Sequence, residues 1–174
     1  LEMGGKNAVI VLADADLDWC LQPEHRDAVQ TLFADIVADE GQILLGWRDV
    51  PIDDSPVGPS AVAVEPVFKQ VFIARGHVDW LREIHLSSDE ETRVRFERKL
   101  YVIRKRIEHA ADQLPIPAAA KKFFYIVGLS SNTLIYKGML TPSQIETMFP
   151  DLMDRDIESA LALVHQRFST NTFP

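Results

Sequence analysis

The sequence predicts an α+β fold built on antiparallel sheets, and two observations lead to this class. Two apolar runs, 123–130 and 133–137, are separated only by Ser131 and Asn132, a pair that suits the tight turn of a hairpin. The two long segments with helical periodicity do not alternate regularly with the strand-like runs. Hairpin-linked strands with segregated helices are typical of α+β domains rather than of doubly wound parallel sheets.

Three strands and one helix are predicted in the first half of the chain. Residues 7–13 (NAVIVLA), 44–48 and 67–74 (VFKQVFIA) are short runs rich in β-branched and apolar residues, as buried strands are. Between the first two, apolar residues recur at helical spacing over 28–38. Gly41 follows this run and is the expected C′ residue that ends the helix.

The second half is predicted to contain one long helix, three strands and a short capped helix. The helix covers 96–111, where apolar residues repeat every three to four positions. Strands are expected at 124–129, 133–136 and 162–168. Thr141, followed by a proline at the first helical position, is the expected N-cap of the short helix.

The connections between these elements are predicted from polar and turn-forming residues. Residues 51–60 are rich in Pro, Gly, Ser and Asp and are expected to be loop. Residues 77–92 are polar without a pattern and are interpreted as a surface excursion, with the acidic triplet 89–91 solvated. Residues 151–156 are acidic and turn-like.

Composition favours one soluble, cytoplasmic domain. The 174 residues include 47% hydrophobic and 25% charged residues, which is ordinary for a globular chain. The formal charge of −8 argues against a nucleic-acid or anionic-membrane partner. The single cysteine, Cys20, allows neither an internal disulfide nor a cysteine zinc site, and the histidines show no metal spacing. No secretory signal opens the sequence, and its start at Leu1 predicts a fragment.

Five longer stretches carry a family resemblance, and they occur in the family's own order. They are LLGWRDVPIDDSPVGPSA (44–61), FERKLYVIRKRIE (96–108), FYIVGLSSNTLIYKGML (124–140), FPDLMD (149–154) and SALALVHQRFSTNTFP (159–174). Together they resemble the glutamine amidotransferase domain in the large subunit of glutamate synthase. The resemblance covers roughly 21–174 and predicts a partial domain there, preceded by a segment of uncertain origin at 1–20.

The resemblance implies an N-terminal-nucleophile hydrolase fold, an αββα sandwich with antiparallel sheets, here incomplete. It implies that the parent enzyme hydrolyses glutamine and passes the ammonia to a separate synthase domain, where 2-oxoglutarate is aminated. FMN and an iron–sulfur cluster would serve that second domain, so no cofactor is expected in this chain. The expected partners are glutamine and the remainder of the glutamate synthase chain.

The resemblance also assigns a glutamine-binding motif at Arg167, Phe168, Ser169 and Thr170. In class II amidotransferases an Arg-aromatic-Ser-Thr motif at a strand end holds the substrate. A guanidinium matches the α-carboxylate of glutamine bidentately, with charge-assisted hydrogen bonds. On a strand, Arg167 and Ser169 would face the cleft while Phe168 packs on the other side, and Thr170 would offer its hydroxyl. The alternative is that Arg167 is a solvated arginine at a strand end.

Two parts of the family's chemistry have no counterpart in these residues. The family's nucleophile is a cysteine at the first position of the mature chain, whose α-amino group acts as the base. This sequence begins Leu1-Glu2, and Cys20 lacks the neighbours of that nucleophile. The Asn-Gly pair that forms the oxyanion hole lies downstream of the Arg-aromatic-Ser-Thr motif and is not present by Pro174. We therefore expect a polypeptide of these residues alone not to hydrolyse glutamine.

The first 18 residues, LEMGGKNAVIVLADADLD, resemble a different family, the aldehyde dehydrogenases. There a Leu-Glu-x-Gly-Gly-Lys stretch carries the general base, which would correspond to Glu2. Neither that family's nucleophilic cysteine loop nor its NAD-binding half has a counterpart. The segment is thus interpreted either as one part of a chimera or as the strand that precedes the first helix. In both cases Glu2 is expected to be an exposed residue without a catalytic role.

Three further features of the sequence have a structural and a functional interpretation. His165 is interpreted as a hydrogen-bonded core histidine, with a place in the cleft beside Arg167 as the alternative. Arg48 and Asp49 are interpreted as a structural ion pair at a strand end. The basic stretch 98–106 is interpreted as the solvated side of a helix rather than a nucleic-acid site. The alternative to the amidotransferase as a whole is an artificial or chimeric domain without enzymatic activity.

Overall fold

The computed structural model describes residues 8–12, 23–63, 65–76, 89–116, 121, 124–138 and 140–165. The strands are β1 (Ala8–Leu12), β2 (Ile43–Asp49), β3 (Val67–Ala74) and β4 (Phe124–Ile126). The helices are α1 (Pro23–Asp39), α2 (Pro59–Val62), α3 (Asp89–Ala111) and α4 (Ile145–Met148), with 3₁₀ turns at Pro142–Gln144 and Pro150–Met153. The chain forms two compact units, Leu1–Asp49 with Ala63–Tyr136, and Val50–Val62 with Lys137–Pro174.

The first unit is organised by a four-stranded antiparallel sheet in the order β2-β3-β1-β4. Every neighbouring pair of strands is antiparallel, which confirms the predicted sheet type. Strand β1, predicted from its apolar run, pairs with β3 on one side and with β4 on the other. β2 and β3 occupy the predicted segments, with an irregularity between Leu44 and Gly46.

The hairpin predicted at 123–137 is wrong. Strand β4 ends at Ile126, and residues 133–136 lie in neither a helix nor a strand. The reason is that β4 uses β1 as its partner. The turn at 130–131 is instead held by the side chain of Glu97 on α3, so no second strand is needed to satisfy its polar groups.

Helix α1 begins five residues before the predicted start. Pro23 is its first residue, where proline's missing N–H and restricted φ are tolerated. Its end is as predicted: Gly41 adopts a φ of 72°, which favours glycine. The Gly41 N–H donates to the Ala38 carbonyl and the Gln42 N–H to the Val37 carbonyl, both at 2.9 Å, which is a Schellman ending.

Helix α3 begins at Asp89, so the interpretation of residues 89–92 as a surface excursion is wrong, while 77–88 lie outside the described residues. Acidic side chains at a helix N-terminus interact favourably with its dipole. Glu90 and Glu91 also pair with Arg93 and Arg95 at 2.5 and 2.6 Å, one helical turn on. Both acidic residues are exposed, as predicted. The first turn of α3 carries charge pairs and no apolar stripe, so hydrophobic periodicity did not predict the helix there.

The core of the first unit lies where α1 and α3 pack together and against one face of the sheet. Val71 and Ile73 of β3 line that face. Trp47 of β2 meets Phe33 of α1 edge-on, with ring centroids 4.9 Å apart. The other core side chains come from the predicted apolar faces of the helices and from the β4 region: Val29, Ile36, Val37, Phe96, Leu100, Ile103, Ile107, Ile126 and Leu129.

The opposite face of β3 is also buried. Phe68 and Gln70 alternate with Val71 and Ile73 along the strand, so they point away from the two helices. Phe68 is buried and Gln70 is only 1% exposed. A strand buried on both sides belongs to a sheet that is covered on both faces at that point.

The second unit is held mainly by turns and short helices. The predicted cap is confirmed: Pro142 opens the 3₁₀ turn after Thr141, and the Thr141 N–H donates to the Gln144 side-chain oxygen at 2.8 Å. Gln144 also donates through Nε2 to the Pro56 carbonyl at 2.6 Å. The Asp53 N–H donates to the Met148 carbonyl at 3.1 Å. The predicted loop 51–60 is therefore anchored at two points, although its last two residues begin α2.

The strand predicted at 162–168 is not found where the structure describes it. Residues 161–165 lie outside any helix or strand, and 166–168 lie outside the described residues. Leu161, Leu163 and Val164 are exposed, so these apolar side chains are not buried against any surface in the described part of the chain.

No helix in the described ranges has both the length and the apolar composition needed to cross a bilayer.

Candidate functional site

The predicted glutamine-binding residues Arg167, Ser169 and Thr170 lie outside the described residues, as do Cys20 and Glu2. The structure does describe the segment that precedes them, up to His165. His165 is exposed, so its interpretation as a core histidine is wrong. A histidine becomes buried on a strand only when its neighbours enter a core, and Leu163 and Val164 beside it are exposed as well.

Arg48 and Asp49 do not pair with each other as predicted. Successive side chains on a strand point to opposite faces, so each meets a residue across the sheet instead. Asp49 forms an ion pair with Lys69 at 2.5 Å, and Arg48 donates from Nε to Oε1 of Gln70. The strand register places these partners directly opposite each other. The alternation of side chains between the two faces of β2 thus decides which residues Arg48 and Asp49 contact, and their adjacency in sequence does not.

The Arg48–Gln70 pair forms a polar patch on the sheet face that points away from α1 and α3. Gln70 is buried, and its Nε2 has no hydrogen-bond partner within the described structure. An unsatisfied buried donor costs about 1–3 kcal/mol. The open group in the patch is thus the Gln70 Nε2 donor, and its natural complement is a carbonyl or carboxylate oxygen. Sequence reasoning missed Gln70, because a glutamine inside an apolar strand run carries no motif.

Glu97 anchors the loop that follows β4. Its carboxylate accepts hydrogen bonds from the Ser130 hydroxyl at 2.9 Å and from the Ser131 N–H at 2.6 Å. The Ser130 oxygen in turn accepts the N–H groups of Asn132 and Thr133 at 3.0 and 3.1 Å. The contact joins residues more than 30 positions apart, and no spacing rule could have predicted it. It fixes the geometry of the Ser-Ser-Asn turn within the matched segment 124–140.

A charge cluster joins the end of α1 to the middle of α3. Glu40 accepts hydrogen bonds from Lys99 at 2.9 Å and from Arg106 at 2.7 Å, and Arg106 also meets Asp39 at 3.0 Å. The Lys99 hydrogen bond, followed by that of Arg106, lowers the pKa of the Glu40 carboxyl below its ordinary value. The stretch 98–106, predicted as the solvated side of the helix, therefore also forms ion pairs with the end of α1.

Asp53 stabilises the loop of the second unit. The Ser55 N–H donates to its carboxylate at 3.0 Å, the arrangement of an Asx turn. The hydrogen bonds from the Ser55 side chain and backbone lower the pKa of the Asp53 carboxyl. Among the described residues, no group of three His, Cys, Asp or Glu side chains is arranged to hold a metal ion.

Comparison with known proteins identifies the family. The sequence profile of the class-II glutamine amidotransferases matches residues 17–174. The chain belongs to the class-II glutamine amidotransferases. The family match covers the second unit, the part of the first unit from residue 17 onward and the predicted motif at 167–170, while β1 lies before it.

Three relatives define the nearer likeness. The chain is 40% identical over 151 residues to the "Glutamate synthase [NADPH] large chain" of Bacillus subtilis, covering 87% of this chain and 9% of that protein. It is 38% identical over 144 residues to the "Glutamate synthase [NADH]" of Schizosaccharomyces pombe, covering 83% and 6%. It is 40% identical over 134 residues to the "Glutamate synthase [NADPH] large chain" of Azospirillum brasilense, covering 77% and 8%. The chain thus spans less than a tenth of the length of these relatives.

Proposed function

We propose that this chain is part of the glutaminase domain of a glutamate synthase, which hydrolyses glutamine to supply ammonia for glutamate synthesis from 2-oxoglutarate. The observation that carries the proposal is the family match over 17–174, which includes the Arg-Phe-Ser-Thr motif at 167–170. The glutamate synthase relatives align over most of the same residues. No comparison favours an artificial or non-catalytic domain.

Within this proposal, Arg167 binds the α-carboxylate of glutamine, and Ser169 and Thr170 supply hydroxyl groups to the same head group. A guanidinium offers two parallel N–H donors to a carboxylate, whereas an ammonium group offers a point charge. Arg167 therefore orients the substrate as well as attracting it. The reaction itself requires a nucleophile and oxyanion donors, which we do not assign to any residue of this chain.

The proposed architecture is the sandwich of two antiparallel sheets between helical layers. Two features support it. α1 and α3 cover one face of the antiparallel sheet, and Phe68 and Gln70 are buried on the other face, where a second sheet would pack. The Gln70 Nε2 would then find its acceptor in the covering layer.

We propose that residues 21–174 form the partial amidotransferase domain and that residues 1–20 precede it as a segment that contributes one strand. Strand β1 lies between β3 and β4, so this segment completes the sheet of the domain. That placement supports its interpretation as the strand before the first helix. The remainder of the glutamate synthase polypeptide is the proposed partner, and FMN and the iron–sulfur cluster belong to that part.

The test is a kinetic comparison of Arg167→Lys with the unaltered enzyme, in a glutamate synthase polypeptide that contains this region. Lysine keeps the charge but loses the paired donors, so we expect KM for glutamine to rise. Hydrogen bonds to charged groups contribute about 1.5–3 kcal/mol, which corresponds to roughly a ten- to hundredfold rise. An uncharged glutamine analogue without the α-carboxylate should lose little between the two proteins.

Arg155→Lys is the matched control, because Arg155 is an exposed arginine a short distance earlier in the chain. It should leave KM unchanged. If Arg167→Lys also leaves KM unchanged, or if the uncharged analogue suffers the same loss as glutamine, the carboxylate role of Arg167 is wrong.

A further inference from the structure

One side of α3 forms the floor of an open groove on the first unit. Its volume is about 420 Å³, and the loop anchored by Glu97 supplies one wall through Asn132. The floor consists of Val94, Tyr101 and Val102, which stand at positions i, i+7 and i+8 of the helix. These positions share one face, away from the core face that carries Leu100 and Ile103.

The apolar floor is open to solvent. Tyr101 is 61% exposed, Val102 40% and Val94 37%. An isolated exposed apolar side chain has no particular meaning, but a contiguous group with a polar rim marks an interaction surface. Tyrosine is also among the residues enriched at protein interfaces, because its ring is rigid and its hydroxyl still binds water.

Arg98 differs from the other basic side chains of α3 in its ion pairing. All but one of the Lys and Arg side chains on the helix form ion pairs. The pairs are Arg93–Glu90, Arg95–Glu91, Lys99–Glu40, Arg104–Glu108, Lys105–Glu108 and Arg106 with Asp39 and Glu40. Arg98, which lines the groove and is exposed, has no ion pair or hydrogen bond with any described residue.

The two acidic side chains that line the groove, Glu90 and Glu97, form no ion pair with Arg98. Glu90 holds Arg93 at 2.5 Å, and the Glu97 carboxylate is occupied by Ser130 and Ser131. The Arg98 guanidinium, which has no partner in the described part of the chain, thus lies beside an exposed apolar strip. Its complement is a carboxylate that none of the described residues supplies and that carries apolar groups next to it.

We propose that this groove docks an acidic, apolar segment of another polypeptide, with a carboxylate on Arg98 and apolar side chains on Val94, Tyr101 and Val102. The open shape suits an extended or helical segment laid along α3 better than a small molecule, which proteins enclose on most sides. Asn132 lines the groove, and in this proposal its carboxamide bonds the peptide backbone of the segment.

Charge argues against a second copy of this chain as the occupant. Symmetric antiparallel packing of two α3 helices through this strip would be centred on position 98, the midpoint of Val94 and Val102. A two-fold axis there brings one Arg98 against the other. Two like charges in contact oppose association, whereas an acidic partner satisfies both the charge and the apolar floor.

The test uses a capped hexapeptide of alternating Leu and Glu, titrated into the full chain and followed by amide NMR shifts. We expect the shifts to lie at 94–102 and 132. Arg98→Glu should weaken binding at least about tenfold, equivalent to 1.4 kcal/mol. The matched hexapeptide of Leu and Lys should bind Arg98→Glu more tightly than it binds the unaltered chain.

Arg155→Glu is the control, because it makes the same change in net charge at another exposed arginine and should leave binding unchanged. Equal binding of the Leu-Glu peptide to Arg98→Glu and to the unaltered chain would overturn the proposal, as would equal weakening by Arg155→Glu. Concentration-dependent shifts at 94–102 without peptide, absent from Arg98→Glu, would overturn it in favour of self-association.

Discussion

The segments Val67–Ala74 and 161–165 are both apolar runs that predict strands, yet only the first is one. β3 has strands on both sides, and four of its residues, Phe68, Gln70, Val71 and Ile73, are buried. Residues 161–165 lie in neither a helix nor a strand, and Leu163 is 91% exposed. A similar composition therefore has opposite outcomes in the two regions.

The difference shows that a strand is a property of a pair rather than of a segment. An unpaired strand leaves its backbone N–H and C=O groups to water and buries no apolar surface, so it offsets little of the entropy lost on ordering. β3 gains ladder hydrogen bonds on both edges and a core on its helix side. If this explanation is right, substitutions should cost stability in proportion to the contacts in which each region takes part.

The largest loss is expected for Ile103→Ala in the helix layer that covers β3. Ile103 is fully buried, and removing its side chain leaves a cavity, so we expect a loss of about 2–5 kcal/mol in the free energy of unfolding. Urea unfolding followed by circular dichroism measures it. The control is Val102→Ala, the adjacent residue on the exposed face, which should change stability by less than about 0.5 kcal/mol. Similar losses for the two variants would contradict the packing explanation.

A smaller and pH-dependent loss is expected for Glu40→Gln, which breaks the charge cluster between α1 and α3. The folded-state pKa of Glu40 is lowered, so its contribution is present above the ordinary carboxyl pKa and is lost as the pH falls through the folded value. Because Lys99 and Arg106 are each about 40% exposed, we expect about 1 kcal/mol or less at pH 7.

The measurement is unfolding of wild type and Glu40→Gln in urea at pH 7 and pH 3. The stability difference between them should be present at pH 7 and shrink at pH 3. Asp35→Asn, at an exposed position on α1, should show no such difference between the two pH values. A stability difference for Glu40→Gln that is the same at both pH values would show that the carboxylate charge is not its source.

The smallest effect is expected for Leu163→Ser in the unpaired segment. Its side chain is almost wholly exposed in the described structure, so the free energy of unfolding should change by no more than about 0.5 kcal/mol. The matched change in the paired strand is Val71→Ser, which places a hydroxyl in the core and should cost several times more. A loss above 1.5 kcal/mol for Leu163→Ser would mean that the segment has a buried partner after all.

Features that depend on contacts within a single helix or turn could be predicted from the sequence alone. The apolar faces of α1 and α3, the Gly41 ending and the Thr141 cap all appear as predicted, because each depends on neighbours within one or two turns of the chain. Strands β1, β2 and β3, which pair with one another in the sheet, also lie in the predicted segments. The family followed from five segments whose order and composition the sequence carries directly.

Of the candidate site, the sequence supplied the motif at 167–170 through the resemblance, while the structure describes only its approach. The contacts that join distant residues could not be predicted from spacing. Arg48 meets Gln70 because a strand register places them opposite each other, and Glu97 holds Ser130 because a helix and a loop meet in space. Register and helix placement are decided by the packing of the whole unit.

The sequence by itself thus determined the class of fold, the periodicity of its helices and the family to which it belongs. Tertiary structure decided which apolar runs became strands, which ion pairs formed and which arginine of α3 has no ion pair with the described residues. The physical reason is that helix faces and caps are satisfied by residues three or four positions away, whereas strands and long-range ion pairs need partners that only folding brings close.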